Sequence, residues 1–292
     1  MTRQDFSQWC ASGVRLLDGA TGTNMAKAGL PRGVCTEAWI AEHPEPLLAL
    51  QRAYVEAGSE IVYAPTFGAN RDSLAKFGLE GELTALNRAL VALSKRATDG
   101  RAMVAGDLTT TGKPVTDDPG DYEARIALYR EQTLALAAAG VELFAVETMM
   151  GVSETMAAVE AIRSVSDLPV LCTLSLQSDG KAYFDGSAEE AAAAVEALGA
   201  DAVGINCSAG PDQLESVVAM MHRACGLPIV AKPNAGLPVI DEITGEARYS
   251  MDAETFARHM LKLHQAGATI LGGCCGTTPA YIRALHEQLT HG

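Results

Sequence analysis

Two adjacent cysteines, Cys274 and Cys275, stand between Gly272-Gly273 and Gly276. A disulfide between sequence neighbours is strained, and a hydrophobic core needs no glycine frame around two thiols. A metal ion does, because glycine relaxes the backbone enough to turn two successive side chains towards one point. A third cysteine, Cys207, follows Asn206 at the end of another short apolar run. By itself Cys207 would read as a packing thiol; beside the pair it reads as the third ligand. Three thiolates suit Zn2+, which favours sulfur in tetrahedral geometry and keeps a fourth position open in catalytic sites. Cys207, Cys274 and Cys275 are therefore the expected metal ligands.

The ligand type points to a reaction type. Three thiolates leave Zn2+ with a net negative charge, so it acidifies water weakly. A substrate thiol still loses its proton on coordination, and the excess charge keeps that sulfur nucleophilic. A hydrolase would use His and carboxylate ligands instead. None of His43, His222, His259, His264, His286 and His291 falls at an expected strand end. Thiol alkylation thus ranks above hydrolysis. Among the other cysteines, Cys172 lies inside an expected strand and Cys225 at a helix end, both as small hydrophobes. Cys10 and Cys35 sit in loop-like sequence without a partner.

The elements that must position these thiols alternate regularly. Short, nearly continuous apolar runs suggest strands at 15–20, 60–66, 102–108, 143–148, 170–176, 202–207, 228–234 and 269–274, as for parallel strands covered on both faces. Segments rich in Ala, Leu and Glu suggest helices at 46–57, 82–98, 122–139, 153–166, 188–198, 211–224, 253–265 and 279–289. Gly58, Gly140, Gly199, Gly226 and Gly267 mark helix stops, since glycine accepts a positive φ. This alternation predicts an α/β chain folded as a (β/α)8 TIM barrel, one domain over residues 1–292, with a doubly wound open sheet as the alternative.

Chemistry in such barrels sits at the C-terminal strand ends. The unusual residues cluster there: Asp18 to Thr23, Pro65 to Asn70, Glu147-Thr148, Asn206-Cys207, Lys232-Pro233-Asn234 and Gly272 to Gly276. Asp107 and Gln177 are weaker signals at the third and fifth ends.

The 292 residues are 48% hydrophobic, enough for a large core, and carry a formal net charge of −14, which argues against a nucleic-acid partner. Apolar stretches are too short for a membrane span, and Met1 to Cys10 lacks an apolar signal region. An odd count of seven cysteines in a core-rich chain favours reduced thiols over a secreted disulfide framework. A cytoplasmic protein is expected.

The runs Leu17 to Thr23, Gly204 to Cys207 and Gly272 to Gly276 resemble the homocysteine S-methyltransferase family, from about Leu16 to about Leu285. This family includes the homocysteine-binding domain of methionine synthase and betaine–homocysteine methyltransferase. The resemblance implies that Cys207, Cys274 and Cys275 hold Zn2+, and that Glu147 binds the amino group of homocysteine. The alternative for Glu147 is an ion pair with Lys or Arg at the barrel mouth. Asp18 and Gly19 resemble the segment whose backbone meets the amino-acid head group. Thr66 matches a Thr-Phe pair whose hydroxyl would reach the substrate. One departure is Pro65, where methionine synthases often carry Asn. Asn234 is then a candidate to fill the fourth zinc position when substrate is absent, against the plainer reading of a Pro-Asn turn.

The implied function is methylation of homocysteine to methionine by direct attack of a zinc-bound thiolate on an activated methyl group. The chain has no evident room for corrinoid or folate domains, so a corrinoid or other methyl-donor protein would be a separate partner; S-methylmethionine or betaine would need none. The alternatives are a homocysteine-binding or corrinoid-partner subunit without its own turnover, methylation of another small thiol, or a zinc hydrolase or aldolase.

Overall fold

The computed structural model describes residues 1–240 and 247–291. Ten strands follow in chain order: β1 Arg15–Leu16, β2 Ile61–Tyr63, β3 Met103–Thr109, β4 Leu143–Met149, β5 Val170–Leu174, β6 Ala202–Asn206, β7 Ile229–Lys232, β8 Pro238–Ile240, β9 Ala247–Tyr249 and β10 Ala268–Leu271. Eight of them form one sheet in the order β1-β10-β7-β6-β5-β4-β3-β2, with every pairing parallel. A further bridge from Leu17 to Ile61, with the Glu60 N–H donating to the Leu16 carbonyl at 2.8 Å, joins the two edges. The result is the (β/α)8 barrel that the alternation predicts. β8 and β9 form a separate two-stranded antiparallel sheet beyond β7.

Both faces of the strands are apolar because both are covered. Leu17, Ile61, Tyr63, Ala105, Leu143, Ala145, Leu171, Ala202, Val230 and Ile270 come from all eight barrel strands or their immediate ends and pack as one cluster, the barrel interior. Their sequence neighbours Val104, Phe144, Val146, Cys172, Val203 and Ile229 belong to the larger cluster shared with the helices. Helix Arg3–Ala11, which the sequence reading passes over, adds Phe6 and Cys10 to the interior cluster. A capping box between Thr2 and Asp5 starts it. Gly204 shows how tight the wall is: a Cβ there would stand 1.9 Å from the Val230 carbonyl oxygen.

Three expectations need correction. The helix expected over 211–224 is a 3-10 turn, Pro211–Gln213, followed by helix Glu215–Ala224, because Leu214 between them leaves helical geometry at φ −111°, ψ 0°. Gly226 is not a left-handed stop: extended Cys225 already ends that helix, whereas Gly58, Gly140, Gly199 and Gly267 do take positive φ. The strands expected over 15–20, 228–234 and 269–274 leave the ladder at Leu16, Lys232 and Leu271. This early release frees Asp18 and the cysteine pair to turn into the mouth. Among the described residues no helix is long and apolar enough to cross a membrane.

Candidate active site

The three expected ligands meet. Within the trio Cys207, Cys274 and Cys275 every sulfur lies within 4.8 Å of the others, and Cys207 Sγ and Cys275 Sγ are 3.6 Å apart. Sulfurs bound to one zinc ion at about 2.3 Å each would stand roughly 3.8 Å apart, so the spacing suits that ion.

The backbone reaches this arrangement through strain and stitching. Cys207 has φ 49° and Thr148 has φ 59°, left-handed values that are unusual for residues with a Cβ. Fully buried Asn206 ties the two together: its Oδ1 accepts the Thr148 N–H at 3.0 Å, and its Nδ2 donates to Thr148 Oγ1 at 2.7 Å. The same Nδ2 lies 4.0 Å from Cys274 Sγ. The Cys274 N–H donates to the Pro233 carbonyl at 2.7 Å and the Ala235 N–H to that of Cys275 at 2.9 Å, joining the loops beyond β7 and β10. Gly276, at φ +85°, leaves room for Tyr249 of β9: a Cβ there would meet the ring at 2.3 Å.

Three thiols so close titrate as a set. Hydrogen bonds from Cys207 and Cys274 hold Cys275 down to about 3. Hydrogen bonding to Cys274 and Cys275, together with burial, pushes Cys207 up. Further ionisation of the trio sets like charges together, and a divalent cation would remove that opposition. The donor set therefore fits a soft or borderline metal. Asn234 stands alongside, buried, with its Oδ1 lacking any hydrogen-bond partner.

Across the mouth lies a buried charge cluster that the sequence reading only half anticipates. Lys232 Nζ is 3.2 Å from Glu147 Oε1 and 3.5 Å from Asp18 Oδ1, and sits 4.7 Å from the centroid of the Tyr63 ring. The barrel-mouth ion pair entertained for Glu147 is thus present, with Lys232 as its partner. Burial alone would depress the Lys232 ammonium, but Glu147 and Asp18 overturn this and hold its pKa well above the ordinary value. Burial pushes Asp18 up to about 6 despite Lys232, and it raises Glu147 in the same way. Asp18 Oδ2 also accepts the Tyr63 N–H at 2.9 Å.

Asp18, Gly19, Glu147, Cys207, Cys274 and Cys275 line one cavity of about 300 Å3, together with Lys232, Asp107, Thr148, Glu37 and Phe67. Thr66 does not join them. It is fully buried, and its hydroxyl donates to the Asp107 carbonyl at 2.9 Å while accepting the Asp107 N–H at 3.0 Å. Asn234 is likewise outside the lining. At Gly19 a Cβ would meet Tyr54 Oη at 2.6 Å and Thr277 Oγ1 at 2.7 Å, so packing beneath the loop already demands glycine. The sequence reading gave no role to Lys232, Asn206, Tyr249 or Glu37. Only Lys232 and Asn206 carried a signal, as polar residues at strand ends. A larger groove, of about 700 Å3, lies among Arg15, Glu60, His264 and His286 at the opposite end of the strands, away from the thiols.

The chain is similar to known proteins over most of its length. Residues 15–289 match the model of the family described as homocysteine S-methyltransferase. The chain is 28% identical over 297 residues to the methionine synthase of Mycobacterium leprae (strain TN), covering 96% of this chain and 24% of that protein. It is also 28% identical over 295 residues to the S-methylmethionine–homocysteine S-methyltransferase BHMT2 of Pongo abelii, covering 93% of this chain and 77% of that protein. The crystal structure of the homocysteine methyltransferase MmuM from Escherichia coli, metallated form, superposes with a TM-score of 0.81 at 25% identity, over 94% of this chain and 96% of that one. The chain spans about a quarter of the length of the mycobacterial methionine synthases that it matches.

Proposed function

The chain belongs to the homocysteine S-methyltransferase family, and from that premise we propose that it methylates homocysteine to methionine at the three-thiol site. The observation carrying this reading is the meeting of Cys207, Cys274 and Cys275 within 4.8 Å in a cavity that also holds Asp18, Glu147 and Lys232. Residues 1–292 act as one homocysteine-binding barrel domain, in a reducing compartment such as the cytoplasm, in keeping with seven free thiols.

Cys207, Cys274 and Cys275 would hold Zn2+, which when bound would supply the Lewis acidity that favours the thiolate form of the substrate at neutral pH. Every other part of the task falls to the chain. Glu147 offers its carboxylate to the substrate ammonium, and Asp18 with Gly19 frames the head group. Lys232 favours the ionised forms of Asp18 and Glu147 in a site where burial works against them. Thr66 acts at one remove, by fixing the β3 backbone at Asp107. Asn234, with its unpartnered amide oxygen, would be the chain's candidate for a further metal ligand when substrate is absent. Methyl transfer is a displacement: the new S–CH3 bond forms as the donor–CH3 bond breaks, the donor keeps the electron pair, and the thiol proton passes to solvent. Lys232 is held protonated between two carboxylates, which disfavours a Schiff-base aldolase reading.

The test is metal analysis joined to a donor screen. The purified, reduced protein should carry one zinc, Cys274→Ala should lose it, and homocysteine should yield methionine with S-methylmethionine, betaine or a methylcorrinoid protein as donor. Homocysteine binding without transfer from any of these donors would instead mark a binding subunit without its own turnover. A zinc-free reduced protein would sink the reading.

A further inference from the structure

Three carboxyl oxygens at the cavity floor, Asp18 Oδ1, Asp107 Oδ1 and Glu147 Oε1, are buried without a directed hydrogen bond. Lys232 stands at ion-pair distance from two of them, at 3.5 Å from Asp18 and 3.2 Å from Glu147. Asp107 is left over: among the described residues it has no cation within 4.0 Å, yet it is only 4% exposed and lines the same cavity. Its backbone is fixed from both sides. Thr66 Oγ1 bonds its N–H and carbonyl at 3.0 and 2.9 Å, and Gln132, buried behind, donates to the Thr66 carbonyl at 2.8 Å. A buried carboxyl on a backbone so fixed, with an oxygen left unsatisfied, costs stability unless a ligand completes it.

We propose that Asp107 is the specificity-determining acceptor for the substrate's α-ammonium group, shared with Glu147, and that it selects amino-acid thiols over thiols lacking the amine. The proposal rests on the homocysteine reading above and adds a residue to which that reading gave no substrate contact. An alkylammonium brings three N–H donors into a floor where Lys232 already compensates Asp18 and Glu147. The remaining acceptor without a counter-charge is Asp107. Burial, followed by repulsion from Glu147, holds the Asp107 carboxyl well above the usual carboxylate range, so an arriving ammonium supplies the charge that makes its ionisation favourable.

Direct binding tests this without any methyl donor. The zinc-loaded protein is titrated calorimetrically with L-homocysteine and with 4-mercaptobutyrate, which keeps the thiol and carboxylate but lacks the amine. The native chain should prefer homocysteine, and Asp107→Asn should reduce that preference roughly 10- to 100-fold while leaving the 4-mercaptobutyrate affinity and the zinc content unchanged. Asp107→Ser serves as the second variant should the amide fold poorly. An unchanged preference in either folded variant, equal weakening of both ligands, or a native chain indifferent to the amine would each overturn the assignment. Failure of the methyl-transfer reading is distinct: no methionine from any donor, while the amine preference and its loss on substitution persist.

Discussion

Asp18 shows how a single residue can carry opposing demands. Its carboxyl is raised to about 6 because burial outweighs the attraction of Lys232. A carboxyl with a folded pKa above its unfolded value, about 3.9, favours the folded state when protonated. That contribution is fully present below about pH 4 and is lost as pH rises through about 6. The difference corresponds to a loss on the order of 3 kcal/mol. Asp18→Asn keeps an oxygen to accept the Tyr63 N–H but has no proton to lose. Urea unfolding of the metal-free proteins at about pH 4 and about pH 7 should therefore show the variant gaining stability relative to the native chain at the higher pH. A native-to-variant difference that is the same at both pH values would contradict the burial argument.

At the scale of elements, the site depends on how strand ends leave the ladder. β6 ends at Asn206, and Cys207 turns its thiol inward only by adopting a left-handed φ of 49°. Asn206 holds this turn against the equally strained Thr148 at the end of β4. Asn206→Ala would leave the Thr148 N–H without its partner, at a cost of about 1–3 kcal/mol in denaturant unfolding. It would also loosen Cys207 and Cys274, and the proposed zinc binding should weaken roughly 10- to 100-fold in a chelator competition, as it does on loss of residues that orient metal ligands. Unaltered zinc affinity would show that the cysteines are held by the loop hydrogen bonds alone, those from Cys274 to Pro233 and from Ala235 to Cys275.

For the molecule as a whole, the proposed metal joins two loops that are far apart in sequence, those carrying Cys207 and Cys274-Cys275. They follow β6 and β10, which are not adjacent in the sheet, with β7 between them. A ligand that binds only the folded chain stabilises it by mass action, about 2.7 kcal/mol at a hundredfold excess over its Kd. Stripping zinc with a chelator should therefore lower the Tm by several degrees, and adding zinc back should restore it. The Cys274→Ala protein should show no such shift. A shift that survives in Cys274→Ala would place the bound metal elsewhere.

Local sequence was sufficient for whatever depends on local order. Apolar runs bounded by Gly58, Gly140, Gly199 and Gly267 located the barrel strands, and the adjacent Cys274 and Cys275 announced a site where Cys207 was to join them. Contacts across the mouth are different, since they depend on where each strand leaves the ladder and on the register between strands. Neither is encoded in the periodicity of one segment. Only the tertiary structure put Lys232 within 3.2 Å of Glu147, turned the Thr66 hydroxyl away to the Asp107 backbone, and left Asp107 Oδ1 without a partner. The thiol trio was legible because two of its members are neighbours in the chain; the charge arrangement was not, because its members meet only when the barrel closes.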